Sequence, residues 1–409
     1  MWQNAGYPRS PGKDLSKIGP NRAKLSPREN RTTLTGSIAG LPGRRHEDGT
    51  EASLLGEAPM NVTIAGIGAP YLEYPRKAHH DPARGILGGS VAVALFHAAQ
   101  LLRPRGIPVS LYGLRGNDSA GNRLVELLSR TSIHWDHFIQ TPGETPQARY
   151  ARDDKSPGEG ADPPSQPAGP PELFYTPGVT ETFRLKHIPE SFYRHSITTF
   201  ESTGTLAPLL SGLHKAVDRA RAAGALTIVH DAPDSFLIPE GTSPGNHSDD
   251  SNTRSSCFHA AGGGSEALQP AWTATELLIL TETRALALTG RSGASEAARE
   301  FLRRGVSAVV IACTGGDILF RSSAGTFQPR EESLTTQPLP AYWEPFTGAL
   351  VASLAEQMDQ GKQALDLHQA VRWGIATSEY CRTQGSALAS QHRPREKRER
   401  IREIFLTLS

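Results

Sequence analysis

The chain has 409 residues, 37% apolar and 21% charged, with a mean hydropathy of −0.40, enough for one large domain or two modest ones. A formal net charge of +1 gives no global case for a nucleic-acid or membrane-surface partner. Three scattered cysteines (Cys257, Cys313, Cys381) argue against a disulfide framework or zinc site and fit a reducing, cytoplasmic setting.

Residues 1–58 are rich in Pro, Gly, Ser, Arg and Lys with little apolar periodicity, and are expected to form a disordered tail. The tail has no apolar stretch of the secretory kind, and its Arg-rich, acid-poor first part shows no amphipathic face. No run of about 18 apolar residues exists, so no membrane-spanning helix is expected. The remaining residues, 59–409, read as one domain.

Asn61–Gly68 is a short β-branched run ending in glycine and predicts the first core strand. Glu73 follows and reads as a solvated loop carboxylate. Gly88 and Gly89 open a helix of small residues that includes Val93. Ile107–Leu114 predicts a strand, and Asp118 caps a helix running from Asn122 to about Arg130. Ile133–Ile139 predicts another strand. Residues 153–172 and 240–270 are Pro-, Gly- or Ser-rich and longer than ordinary loops, so both are expected to be disordered insertions. Between them lie a strand over Ser196–Glu201, a helix from about Leu206 to Ala223, and a buried strand over Ala225–Asp231. His230 and Asp231 end that last strand, where α/β proteins place ligands. A capping or turn role for Asp231 is an equal reading.

Leu277–Gly290 reads as a strand followed by a helix, and Ala308–Cys313 as a buried strand. Thr314, Gly315, Gly316 and Asp317 then make a turn into Ile318–Phe320. From Pro345 a helix of small and apolar residues runs without charge until Glu356, with Glu344 at its start and Pro345 at its first position. Ala364–Tyr380 is an amphipathic helix, and the basic run His392–Arg400 belongs to a solvated final helix. Strand and helix alternate along the chain, which predicts a parallel sheet.

Several of these stretches, in order and spacing, resemble the ribokinase-like (PfkB) carbohydrate kinases. Gly116–Gly121 matches the family's V-G-x-D-x-x-G element, with Asp118 as its structural cap. Gly88-Gly89 looks like the G-G-x-x-x-N sugar motif, with Val93 in place of the Asn. Leu288-Thr289-Gly290 fits the L-T-G element. The N-x-x-E pair that organises Mg²⁺ becomes Thr281 and Arg284, which reverses a charge. Cys313–Asp317 looks like the hairpin beside the ATP phosphates. Phe346, Gly348, Ala349 and Leu350 fit the helical half of D-T-x-G-A-G-D-x-F-x-x-x-L, and Glu344 falls at the catalytic Asp. The loop half of that motif becomes Ala341-Tyr342-Trp343, two large rings where Gly-Ala-Gly would let backbone approach a phosphate.

The resemblance implies a three-layer αβα fold with a mostly parallel central sheet and a small β lid from residues 69–85 and 139–185. It implies ATP and Mg²⁺ as cofactors, a sugar or nucleoside as partner, and a lid able to pair two copies. Thr314, Gly315, Gly316, Trp343, Phe346 and Gly348 are then the nucleotide-binding candidates. Gly88, Gly89, Val93 and Glu73 are the substrate-binding candidates, Glu344 is the candidate base, and no residue is assigned to a metal. The altered loop, metal pair and sugar motifs favour a pseudokinase or non-catalytic binding protein. The alternatives are a divergent kinase using Glu344 as general base and a module that holds a sugar or nucleoside without turnover.

Overall fold

A computed structural model describes residues 61–74, 82–150, 173–202, 206–231, 236–237, 269–335, 343–384 and 394–408. The tail expected over 1–58, the insertion expected over 153–172 and nearly all of that over 240–270 lie outside these residues. At the end of the second insertion, Gln269–Ala274 forms a 3-10 helix.

The strands, in chain order, are β1 (Ile64–Ile67), β2 (Tyr71–Tyr74), β3 (Ile86–Gly88), β4 (Val109–Arg115), β5 (Ile133–His134), β6 (Phe138–Gln140), β7 (Gln147–Tyr150), β8 (Leu173–Thr176), β9 (Ile197–Glu201), β10 (Leu226–His230), β11 (Phe236–Leu237), β12 (Leu277–Thr281), β13 (Ala308–Ala312), β14 (Asp317–Ser322) and β15 (Arg330–Thr335). The α-helices are α1 (Ser90–Leu102), α2 (Ser119–Ser129), α3 (Ala207–Leu210), α4 (Leu213–Ala222), α5 (Glu282–Thr289), α6 (Ala294–Arg303), α7 (Trp343–Asp359), α8 (Leu367–Gln384) and α9 (Pro394–Thr407).

The large sheet runs β15-β14-β13-β12-β10-β9-β1-β4-β5, with β6 also on β4. From β13 through β5 every pair is parallel; β14 and β15 add an antiparallel edge. The central strands β1, β9 and β10 are buried along their whole length because helices cover both faces. In β12, Leu277 and Ile279 face one core with Trp343, Phe346 and Leu350. Leu278 and Leu280 face the other with Val217, Ala285 and Phe301. This alternation makes the three layers. A second sheet, β11-β8-β7-β2-β3, forms the lid. β11, from beyond residue 185, is a strand that the sequence did not assign to it.

Local chemistry moved some boundaries. The stretch Ile133–Ile139 is two strands, because Phe138 N–H turns back to the Trp135 carbonyl at 2.8 Å. β4 pairs with β5 at Val109 and Ser110 and with β6 at Gly113–Arg115. The helix expected over Leu206–Ala223 breaks at Ser211–Gly212, where Gly212 closes a turn on Leu209 and starts α4; glycine is a poor residue for a helix interior. α2 begins three residues earlier than expected, at Ser119, directly after its Asp118 cap. Pro345 is the third residue of α7, still within the first turn, where a missing N–H costs no intrahelical bond. Glu73 is a half-buried residue of β2 and not a loop carboxylate.

Candidate functional site

The C-terminal ends of β10, β12 and β13 lie side by side at His230, Thr281 and Ala312. Off this edge stand the first turn of α7, the turn from Cys313 to Gly316, and the start of α5. The ends of β9 and β1 continue the same edge towards the lid.

Trp343 opens α7 and is only 1% exposed. Its ring stacks on Phe346 at 5.4 Å and lies 5.9 Å from the ring of His230. His230 is fully buried, with Nε2 at 3.3 Å from the Thr347 hydroxyl. Burial pushes its imidazole down to about 3, so it is neutral at ordinary pH. Among the described residues His230 Nδ1 and Trp343 Nε1 have no hydrogen-bond partner. Buried polar atoms of this kind are uncommon and call for an explanation.

Glu344 follows Trp343. Burial pushes its carboxyl up to about 7, and the nearby carboxylates of Glu73 and Glu201 add to the shift. Glu201 ends β9 at 2% exposure and accepts the Ala69 N–H, just past β1, at 3.1 Å. Above these acids the lid places Tyr71 edge-on to Tyr175 at 5.5 Å. Burial first, and then Glu73 and Glu344, hold the Tyr71 phenol well above its ordinary range. Glu73 and Glu344 thus interact electrostatically.

Gly88 and Gly89 meet the chain's own lid and hinge. A Cβ on Gly88 would sit 2.1 Å from the Tyr71 ring. Gly89 has φ +101°, and a Cβ there would lie 2.6 Å from the Ala69 carbonyl oxygen. Val93 lies in the core, as does Phe346. Gly348 faces α1, where a Cβ would come within 2.1 Å of the Ala94 carbonyl oxygen.

Thr314 is exposed, and its N–H donates to Glu282 at 2.8 Å; its hydroxyl donates to the same oxygen. These two bonds hold the Glu282 carboxyl below its usual range. Gly316 turns the chain with φ +90°, and Gly315 has open space around it. Arg284, in the first turn of α5, donates from Nε to Asp231 at 2.6 Å. Asp118 lies elsewhere, at the start of α2: it accepts N–H bonds from Gly121 at 2.8 Å and Thr145 at 2.9 Å. Partial burial raises its carboxyl, but the Thr145 hydroxyl, which also donates to it, and then these N–H bonds outweigh that and hold it below the ordinary value.

The donor set at the strand ends does not suit a divalent cation. Asp231 is committed to Arg284 and Glu282 to Thr314. Among the described residues no three His, Cys, Asp or Glu side chains are grouped to hold a metal. Glu201, Tyr71, Tyr175 and the contact of His230 with Trp343 were not assigned to the site from sequence. Glu201 could have been found as an acid ending a buried parallel strand.

No family model matches the chain, and no curated protein matches it. Solved structures do. A PfkB protein from Polaromonas sp. JS666 is 15% identical, over 82% of this chain and 99% of that one, with a TM-score of 0.57. A fructokinase with bound ATP from Xylella fastidiosa is 16% identical, over 84% and 98%, at 0.57. A ribokinase from Giardia lamblia is 11% identical, over 85% and 100%, at 0.59.

Proposed function

We propose that this chain, which has the ribokinase-like (PfkB) fold, is a non-catalytic binding protein that holds a small molecule in the cleft under its lid. The carrying observation is the filled end of that cleft. Phosphoryl transfer asks for preorganised donors around an open anion site. Here Trp343, at 1% exposure, fills the start of α7 against Phe346 and His230. Glu282 and Arg284 are the chain's own counterparts for Thr314 and Asp231. Loss of one oxyanion donor typically costs about 3–4 kcal/mol of transition-state stabilisation, and more than one element is altered.

A sugar or nucleoside, with ATP and Mg²⁺, is what the fold's catalytic relatives suggest as ligands. One observation favours a second reading, a divergent kinase. A carboxyl raised to about 7 is well matched to general-base work near neutral pH, and Glu344 stands at the end of the cleft. The test is ADP release from ATP and Mg²⁺ over a panel of sugars and nucleosides. The binding reading expects no product from wild type, together with a thermal shift by at least one panel member that survives in Glu344→Gln. Turnover that disappears in Glu344→Gln establishes the kinase.

A further inference from the structure

We propose that the cleft receives a phosphate group of its ligand directly on Arg284, with no divalent cation between them; this rests on the reading that the cleft binds a small molecule. Arg284 stands where three neighbouring parallel strands end, the edge at which open α/β sheets bind ligands. Its Nε is held at 2.6 Å by Asp231, which is 2% exposed. A carboxylate almost out of reach of water therefore fixes the plane of the guanidinium. The side chain itself remains 22% exposed, and its two terminal amino groups have no acceptor among the described residues. A fork presented this way matches two oxygens of one phosphate.

The surroundings agree. The neighbouring Glu282 carboxylate is turned to the N–H and hydroxyl of Thr314. His230, next to Asp231 in the chain, and Trp343 each keep a buried ring nitrogen without a partner. A divalent ion would need several oxygen ligands. Asp231 and Glu282 are already paired, and the charge that Mg²⁺ would supply is present in the polypeptide as a guanidinium.

The test titrates the full chain with ADP and with inorganic tripolyphosphate, in EDTA and then in MgCl₂, following the melting temperature and Kd. Tripolyphosphate asks for phosphate alone, and ADP asks whether a nucleoside adds to it. Binding of ADP, tripolyphosphate or both in EDTA, not tightened by Mg²⁺, is expected. Arg284→Gln takes the guanidinium away from the buried Asp231 carboxylate, so the Asp231→Asn/Arg284→Gln pair is the main variant, removing both charges together. It should weaken binding at least tenfold, while Arg284→Lys, which keeps charge without the fork, should fall between. Binding that appears only with Mg²⁺, or a paired variant within twofold of wild type, overturns the role of Arg284 and leaves the binding reading standing. No response to either probe in either condition also overturns it. A shift by an uncharged sugar or nucleoside in that case would preserve the binding reading alone.

Discussion

Glu201 Oε2 accepts the amide of Ala69 at 3.1 Å across 132 residues of sequence. The bond ties the end of β9 to the three residues that lead from β1 into the lid. Removing the carboxylate leaves a buried N–H without a partner. Glu201→Ala should destabilise the protein by roughly 1–3 kcal/mol, read as a lower urea midpoint. Glu201→Gln keeps an acceptor and removes a negative charge near Glu344, so the pKa of Glu344 should fall.

Glu344 itself makes stability depend on pH. Its folded pKa of about 7 lies above the ordinary 4.5, so between those values the folded state holds a proton that the unfolded chain releases. Its contribution is therefore full below about pH 4.5 and is lost as pH rises through 7. Glu344→Gln should flatten this slope and be more stable than wild type at pH 8, by roughly 1–3 kcal/mol. Denaturant titrations of both proteins from pH 5 to 8 check this. A variant curve parallel to wild type would refute it.

Lys397 works in the opposite direction. It is fully buried in α9, with Nζ at 3.1 Å from His97 Nδ1 and also bonded to the Gln100 side chain. Burial pushes its ammonium down to about 8. Below pH 8 the folded state keeps a desolvated charge. Between 8 and 10.5 the unfolded chain binds the extra proton, so stability rises with pH. Lys397→Met should be roughly 1 kcal/mol more stable than wild type at pH 7, with the gap closing by pH 10 in matched thermal melts.

Gly348→Ala should separate α1 from α7. The new methyl would meet the Ala94 carbonyl oxygen at 2.1 Å, a backbone atom that cannot rotate away. Overpacking of this kind costs about 1–3 kcal/mol, measured as a lower melting temperature. An unchanged melting temperature would show that the helices slide apart freely.

Asp118→Ala removes both the α2 cap and the anchor for Thr145. Loss of a cap costs about 0.5–2 kcal/mol, and the second anchor puts the expected loss at the upper end. Asp118→Asn should recover part of it. Equilibrium unfolding of the two variants distinguishes cap loss from a general effect of substitution.

Much of the fold was legible because a parallel sheet covered on both faces writes itself as apolar runs, such as Leu277–Leu280 and Ala308–Ile311. Asp118 was legible as a cap because one of its N–H partners, Gly121, lies within one helical turn, whereas Thr145 was not legible as the other. The lid strands were less so. β11 is two residues long and pairs with β8, far away in sequence. The environment of the site was the least legible part. That Glu344 lies near Glu73 and Glu201, or that Arg284 reaches Asp231, depends on which strand ends become neighbours. No local pattern in the chain carries that information.

The lid takes its strands from residues 71–88, 147–176 and 236–237, and the intervening chain builds β4, β5, β6, β9 and β10 of the large sheet. Pairing β2 with β7, or β8 with β11, therefore closes a long loop, which disfavours those encounters relative to the local pairing of β2 with β3. Amides in the β2–β7 and β8–β11 pairings should then gain protection from solvent exchange later than those between β2 and β3. Native-state exchange should find those pairings opening below the free energy of global unfolding.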